Sequence, residues 1–291
     1  MTETRNLPKG ESLGIGGIIG GSFSLTFSNF LGLLGLIIVP FILAMVVSLI
    51  VFGTLPTNFE ENSLAMQEMI LDDPTGFWIR YGVLMIFNVL SFSFFYAAAI
   101  RLYFDGKLGQ GNLSVAFAAG LSGMIPVFVM YLVMSVFFMV VMVVLGGLVG
   151  FLAGVTGSEA IGFVFGIGLA VFALWLFAAL SPFLAIVVVE KKWFGAFGRS
   201  FGLTKEYRWP IVGLLIVFLL TLLVVTIAVG LLFYVTVLVG GIIGTIVGML
   251  VYLVMTLIVG GAAFALVSLI YARLREIKEG ASIQSLADVF S

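Results

Sequence analysis

Long apolar stretches separated by short polar segments dominate the pattern along this chain. No Asp, Glu, Lys or Arg occurs between Pro210 and Tyr271, and Glu159 alone interrupts the stretch from Leu108 to Val189. A helix needs about 20 apolar residues to cross the hydrocarbon core of a bilayer. Each stretch is therefore long enough for more than one membrane-spanning helix.

The pattern predicts six spans. They are Phe30–Phe52, Phe77–Phe104, Ile125 to about Ala153, a fourth after Ala160 that ends near Val189, Pro210 to about Tyr234, and about Ile242 to Tyr271. A rival interpretation divides residues 210–271 into three spans of about 21 residues each. That interpretation would place the two ends of the chain on opposite sides of the membrane.

The positions of the basic residues favour six spans. Six spans place twelve of the thirteen Lys and Arg residues on one side of the membrane and leave Arg80 near the other side. The twelve are Arg5, Lys9, Arg101, Lys107, Lys191, Lys192, Arg199, Lys205, Arg208, Arg273, Arg275 and Lys278. Because Lys and Arg are enriched in cytoplasmic loops, we predict that both chain ends are cytoplasmic.

An internal repeat supports the same count. The pattern Ser-Phe-x-Leu-Thr occurs at residues 22–26 and again at residues 200–204, and a looser copy starts at Leu113. Self-similarity of this kind indicates repeated structural units. We predict one transmembrane domain over residues 1–291, built from pseudo-repeats at roughly 12–106, 112–190 and 193–280.

Each predicted unit begins with a short segment that mixes aromatic and small polar residues. These segments are Leu13–Asn29, Leu113–Gly123 and Trp193–Arg208. Such composition favours helices lying in the membrane interface over ordinary connectors. The predicted fold class is therefore an all-α integral membrane protein with six transmembrane helices, arranged as three tandem hairpins, each preceded by a short interfacial amphipathic helix. The acidic segment Asn58–Leu71 is a candidate for a further short amphipathic helix.

Composition narrows the function classes. The chain is 62% hydrophobic and 9% charged, has a net charge of −1, and contains neither Cys nor His. It therefore lacks the basic balance of a nucleic-acid binder, thiolate chemistry, and the commonest general base and metal ligand. We expect no cofactor, no metal site and no enzymatic activity. A coupled transporter is disfavoured because the spans lack an ionisable coupling residue.

Basic and aromatic residues after the fourth span form the first candidate site, for lipid or a partner protein. Its members are Lys191, Lys192, Trp193, Arg199, Lys205 and Arg208. Ordinary positive-inside anchoring is the alternative explanation. A second candidate is the intramembrane polar patch of Asn88 and Ser91, which are three residues apart on one helix face. Interhelical hydrogen bonding is its expected use.

Glycines recur at four-residue spacing, which places them on one face of a helix. The series are Gly146, Gly150 and Gly154; Gly162 and Gly166; and Gly240, Gly244 and Gly248. We expect them to allow close helix packing within the chain. A sliding or dimerising surface is the alternative.

Residues 188–209 carry a recognisable pattern: Glu190 at the end of a span, then Arg199, Ser200, Phe201, Leu203, Thr204 and Lys205, with Trp209 before the next span. This run resembles a signature of prokaryotic six-span membrane proteins related to the membrane domain fused to some glycerophosphodiester phosphodiesterases. The resemblance implies a bundle in the cytoplasmic membrane concerned with lipids or a partner protein. The phosphodiesterase catalytic domain has no counterpart here, so its activity is not carried over.

The leading functional hypothesis is a non-enzymatic, structural or accessory protein of the bacterial cytoplasmic membrane. It would bind membrane lipids or a partner, such as another membrane protein or a second copy of itself, through its basic cytoplasmic face. The alternative is a transporter or channel for an apolar or lipid-like substrate, suggested by the repeat and the glycine-rich spans.

Overall fold

The computed structural model describes residues 13–53, 67–107 and 112–280. All regular structure in these ranges is helical, and six helices there are long and apolar enough to cross a membrane. They are Phe30–Phe52, Pro74–Phe104, Leu113–Thr156, Gly162–Val189, Arg208–Thr236 and Ile246–Glu279. The predicted all-α membrane fold with six spans is therefore confirmed.

The described helices are numbered here in chain order. They are α1 Ile15–Ser28, α2 Phe30–Phe52, α3 Pro74–Lys107, α4 Leu113–Thr156, α5 Glu159–Leu180, α6 Phe183–Val189, α7 Gly195–Thr204, α8 Arg208–Val239 and α9 Gly241–Glu279. Residues 67–72 are also helical. They belong in part to the predicted acidic helix, whose residues 58–66 lie outside the described ranges.

The last hairpin settles the choice between six and seven spans. Helix α8 ends at Val239 and α9 begins at Gly241, with a single turn between them. Gly240 and Gly241 have φ angles of +64° and +57°, a left-handed conformation that glycine adopts without steric cost. The interpretation with three spans in residues 210–271 is therefore wrong.

The second interfacial segment is not a separate helix. Leu113–Gly123 forms the first turns of α4, which runs without interruption to Thr156. Asn112 Oδ1 accepts the Ser114 N–H at 3.0 Å and fixes the start of this helix. A Cβ at Gly123 would lie 2.7 Å from the Ala97 Cβ, so the segment packs closely on α3. The segment is therefore packed against another helix.

The fourth span is interrupted near its end. Helix α5 stops at Leu180, Ser181 and Pro182 form a turn, and α6 continues from Phe183. Pro182 has no N–H to offer the Ala178 carbonyl four residues earlier. Ser181 takes over, with its N–H at 3.4 Å and its hydroxyl at 2.9 Å from the Ala178 oxygen. The interruption therefore follows directly from the proline.

The chain divides into two compact units. The described residues of the first unit are 13–21, 126–219 and 266–280. Those of the second unit are 22–53, 67–107, 112–125 and 220–265. In the first unit, buried residues such as Ala179, Ile186 and Tyr271 lie near α7, whereas Phe151 and Phe163 at the α4–α5 turn are exposed. In the second, Ala97 to Ile100 are buried and Trp78 is exposed. The exposed apolar ends are surfaces suited to lipid tails.

The glycine series pack less than expected. A Cβ at Gly162 would lie 3.2 Å from the Ala153 Cβ, and one at Gly248 would lie 3.1 Å from Thr236 Oγ1. By contrast, a Cβ at Gly150, Gly154 or Gly166 would meet no described atom within 4 Å. Close packing is therefore confirmed at Gly162 and Gly248, and the expectation is wrong for Gly150, Gly154 and Gly166.

The predicted threefold repeat stays a prediction. Short separate helices, α1 and α7, precede the first and third hairpins as expected. The second hairpin has no separate helix before it, because Leu113–Gly123 belongs to α4.

Candidate functional site

The chain between α6 and α8 carries the first candidate site, and its backbone changes direction twice. Glu190 is the C-cap of α6. Lys191 and Glu206, on either side of α7, have φ angles of +52° and +77°. This left-handed conformation costs a residue with a side chain roughly 1–2 kcal/mol. Helix α7 must therefore be held by contacts strong enough to offset these two turns.

Two buried hydroxyls hold α7 against the fourth span. The Ser200 hydroxyl donates to the Ala179 carbonyl at 2.8 Å, and the Thr204 hydroxyl lies 3.1 Å from the same oxygen. Both side chains are fully buried. Ala179 lies beside the interruption caused by Pro182, where the regular backbone bonding of α5 ends. The recurring Ser-x-x-x-Thr spacing therefore serves as an anchor.

Glu190 is the acceptor at the centre of an ion-pair network. Lys192 Nζ lies 3.1 Å from Glu190 Oε2, and Arg199 Nε lies 3.1 Å from Oε1. The Tyr271 hydroxyl of α9 donates to Oε1 at 3.0 Å. The Glu190 side chain is 11% exposed, which shields these contacts from water. The network joins the end of α6, helix α7 and helix α9.

Helix α9 completes the network with a second carboxylate. Glu279 pairs with Arg199 Nη2, and its Oε2 accepts from Arg275 Nε at 2.8 Å. Arg275 Nη1 also donates to the Tyr271 hydroxyl at 3.3 Å. Separately, Lys278 Nζ of α9 lies 3.0 Å from Glu206 Oε2. Three cations and two carboxylates thus share the main cluster, and Lys278 adds a further link to the residues after α7.

The network changes the acidity of its central pair. Burial works to raise the pKa of Glu190, but hydrogen bonds from Lys192, Arg199 and Tyr271 and the charge of Arg199 hold that pKa below its ordinary value of 4.5. Burial likewise opposes the charge on Arg199, yet Glu279 and Glu190 raise the pKa of the guanidinium. Both groups are therefore charged at neutral pH.

Arg208 has different surroundings from the other arginines of this unit. Its guanidinium carbon lies 4.6 Å from the centre of the Trp175 ring and 5.2 Å from that of Phe201. Nη2 donates to the Phe201 carbonyl at 3.2 Å. Nε is buried and has no hydrogen-bond partner among the described residues. The guanidinium is thus held by two aromatic rings and one carbonyl at the end of α7.

The remaining candidates are exposed. Lys191 and Lys205 are exposed, and neither has an acidic partner within residues 13–53, 67–107 and 112–280. Trp193 is 43% exposed, and the neighbouring aromatic residues Phe194 and Trp209 are 67% and 62% exposed. The six predicted candidates therefore fall into three groups: Lys192 and Arg199 are paired with Glu190, Arg208 is held by two rings and a carbonyl, and Lys191, Trp193 and Lys205 are exposed.

The second candidate site lies on α3. Asn88 is exposed, and its Nδ2 donates to the Leu84 carbonyl of its own helix at 2.9 Å, a local bond that Asn side chains often make in helices. Ser91 is half-buried. The use of this patch for interhelical bonding stays a prediction.

Sequence reasoning missed three partners from α9. Tyr271, Arg275 and Glu279 lie about 80 positions from Glu190 and follow no local pattern that would pair them with it. The recurrence of Ser200 and Thr204 was a usable signal for their anchoring role. Among the described residues, no three Asp or Glu side chains converge to form a metal-binding group; the absence of a cofactor stays an expectation.

The fold and this site define the chain as an α-helical, multi-pass integral membrane protein. Comparison of the chain with protein-family models, with curated proteins and with solved structures finds no match. The resemblance of residues 188–209 to other six-span membrane proteins therefore stays a hypothesis.

Proposed function

We propose that this chain is a non-enzymatic, structural or accessory protein of the bacterial cytoplasmic membrane that binds anionic phospholipid. The binding region is the lysine–aromatic surface, defined as Lys191, Trp193, Phe194, Lys205 and Trp209. The observation that carries the proposal is the exposure of both lysines, without acidic partners among the described residues, beside three exposed aromatic rings.

The chemistry of this surface fits a lipid headgroup region. Trp residues concentrate at the membrane–water interface, where one part of the ring is apolar and the N–H is wet. A Lys close to an anionic leaflet contributes roughly 1 kcal/mol to membrane attraction. Because Lys192 and Arg199 are already paired with Glu190, the proposed surface is smaller than the basic face inferred from sequence.

The charge distribution supports the orientation. With six spans, twelve of thirteen basic residues lie on the side that carries α7. The positive-inside tendency makes that side cytoplasmic, so we infer that both chain ends are cytoplasmic. The cytoplasmic leaflet is the one rich in anionic lipids, which is where the lysine–aromatic surface requires them.

The test compares lipid preference in mild detergent. The protein is mixed with phosphatidylglycerol and phosphatidylcholine of equal chain length, and bound lipids are counted by native mass spectrometry at low and high salt. Changing Lys191 and Lys205 to Gln should reduce the salt-sensitive preference for phosphatidylglycerol about tenfold. The matched control Arg80→Gln, an exposed basic residue at the opposite end of a span, should change nothing. An unaltered preference in the lysine variant would reject the proposal.

A transporter of apolar substrates is the second candidate, favoured by the interruption of the fourth span at Pro182. Broken spans supply backbone carbonyls to substrates in many transporters. Here Ser181 occupies the Ala178 carbonyl, and Ser200 and Thr204 occupy that of Ala179. Because these acceptors are in use, we rank transport below lipid binding. Substrate-dependent flux in proteoliposomes, lost in Ser200→Ala, would reverse this ranking.

A further inference from the structure

Among the described residues, Arg208 has no carboxylate partner. Arg199, Arg273 and Arg275 each contact a carboxylate. The nearest acid in the sequence, Glu206, is bonded to Lys278 at 3.0 Å. A partly buried charge without a counter-ion carries a desolvation cost that its surroundings must offset.

The contacts that Arg208 does make fix its orientation without neutralising it. Trp175 and Phe201 approach the guanidinium at 4.6 Å and 5.2 Å, and the Phe201 carbonyl takes one N–H of Nη2 at 3.2 Å. Ring quadrupoles and one carbonyl attract a cation but leave its unit charge in place. Of the five N–H donors of a guanidinium, one is used here and Nε is buried. The remaining donors are on the two terminal nitrogens.

The position of Arg208 indicates which kind of ligand it would bind. It begins the fifth span, next to Trp209, which is 62% exposed, and three residues after the exposed Lys205. An exposed Trp at the end of a span lies at headgroup depth, where phosphate groups are the abundant anions. The planar fork of Arg matches two phosphate oxygens better than the point charge of Lys does.

We propose that Arg208 is the receptor for a single phosphate group, supplied by a phospholipid headgroup that stays bound to the protein. Trp175 and Phe201 act as positioning residues that hold the guanidinium with its terminal nitrogens available. This inference rests on the proposed lipid-binding function and deepens it. It distinguishes one tightly held lipid from the salt-sensitive attraction of the lysine–aromatic surface.

The experiment counts the lipid that survives delipidation. The whole protein, purified in mild detergent, is titrated with short-chain phosphatidylglycerol in high salt, and bound lipid is measured by native mass spectrometry. One lipid per chain should be retained by the unaltered protein. Arg208→Gln should weaken its retention about tenfold or more, the range expected for a charge-assisted hydrogen bond. Arg208→Lys, which keeps the charge and loses the fork, should give an intermediate loss.

Two further arms separate the outcomes. Competition with inorganic phosphate distinguishes the sources: displacement at millimolar concentration would assign the site to free phosphate and overturn the lipid assignment. Thermal melting of each variant reports folding, and if Arg208→Gln fails to fold, Arg208→Lys decides the matter. Retention by Arg208→Lys equal to that of the unaltered protein would overturn the proposal.

Different experimental outcomes reject the two lipid proposals. If Lys191→Gln with Lys205→Gln leaves the salt-sensitive preference unchanged while Arg208→Gln loses the retained lipid, only the lysine–aromatic surface is rejected. If the lysine variant loses that preference and Arg208→Gln keeps its lipid, only the phosphate site is rejected.

Discussion

The segments of residues 22–26 in α1 and 200–204 in α7 share the order Ser-Phe-x-Leu-Thr but are held in place differently. In both, Ser and Thr are fully buried, and the Thr hydroxyl bonds to the Ser carbonyl, at 2.8 Å in α1 and 2.9 Å in α7. Gly21 precedes the first copy and Arg199 the second. The first is in close contact with Gly261 and hydrogen-bonded to Tyr103, and the second lies next to an ion-pair network.

The two copies differ in the contacts that their neighbouring residues make. Thr26 lies so close to Gly261 that a Cβ there would be 2.9 Å from Thr26 Cγ2. Arg199, by contrast, contacts the carboxylates of Glu190 and Glu279. The second copy therefore lies among charged residues, next in sequence to the lysine–aromatic surface and Arg208. Variants in the two copies should therefore respond differently to charge, to lost hydroxyls and to added volume.

Removing the central carboxylate should have the largest effect. Glu190→Ala deprives Lys192, Arg199 and Tyr271 of their acceptor, and we expect a loss of about 2–3 kcal/mol in unfolding free energy, since charge-assisted bonds contribute about 1.5–3 kcal/mol and exposed pairs much less. Denaturant titration in micelles, followed by helical circular dichroism, measures it. The control is Glu276→Ala, an exposed carboxylate paired with Arg273, which should cost under about 0.5 kcal/mol.

The same carboxylate gives a pH dependence with a defined sign. The pKa of Glu190 is lower in the folded protein than its ordinary value of 4.5. Its contribution is therefore fully present above pH 4.5 and is lost as the pH falls through the lowered pKa. Unfolding free energy should decrease in that acid range, and Glu190→Gln should show a smaller decrease. Identical pH profiles for the two proteins would contradict the role of this pair.

Loss of the two anchoring hydroxyls should rank second. Ser200→Ala combined with Thr204→Val leaves the Ala179 oxygen without either hydroxyl, and a buried polar group left unpaired costs about 1–3 kcal/mol. Thr26→Val in the first copy removes a bond to a carbonyl of its own helix and the bond with Tyr103, and it should cost less because the Tyr103 hydroxyl keeps the Gly261 carbonyl as its acceptor. The same denaturant titration compares them, and an equal loss in both copies would show that the interruption at Pro182 is irrelevant.

Sequence patterns predicted the fold well because hydropathy and charge act locally. The uncharged stretch after Pro210 and the basic residues at one side were enough for six spans, and a short helix before the last hairpin followed from Trp193–Arg208. The continuity of α4 was not predictable from the segment alone. The packing of Gly120 and Gly123 on Phe94 and Ala97 of another helix is a tertiary contact that the segment alone does not reveal.

The candidate site was predicted only in part, for the same reason. Positive charge near the end of a span is visible in the sequence, so Lys191, Lys205 and Arg208 could be chosen. Whether a cation is neutralised depends on acids brought from elsewhere, and Glu279 reaches Arg199 from a helix about 80 positions later. The glycine spacing likewise singled out Gly150, which is open, and not Gly261, where backbone and side chains meet.

Added volume beside the first copy should lower the unfolding free energy. Gly261→Ala places a methyl group 2.9 Å from Thr26 Cγ2 and 3.2 Å from the Tyr103 hydroxyl, and overpacking of this kind costs about 1–3 kcal/mol; we expect the lower end, because one contact is a side-chain tip. Gly150→Ala is the control, with open space around it, and should be neutral or slightly stabilising. Equal stability of both variants would mean that the first copy is not fixed by close contact.

The smallest effect concerns two buried tyrosines of α3. The Tyr103 hydroxyl donates to the Gly261 carbonyl at 2.9 Å, whereas the buried Tyr96 hydroxyl has no partner among the described residues. Tyr96→Phe removes an unpaired polar group and should raise the unfolding free energy, by at most about 1 kcal/mol. Tyr103→Phe should lower it by a similar amount, because it removes the buried hydrogen bond to the Gly261 carbonyl and the one shared with Thr26. Opposite signs in the same titration would show that only the Tyr103 hydroxyl is satisfied, and a loss in Tyr96→Phe would show that its hydroxyl has found a partner.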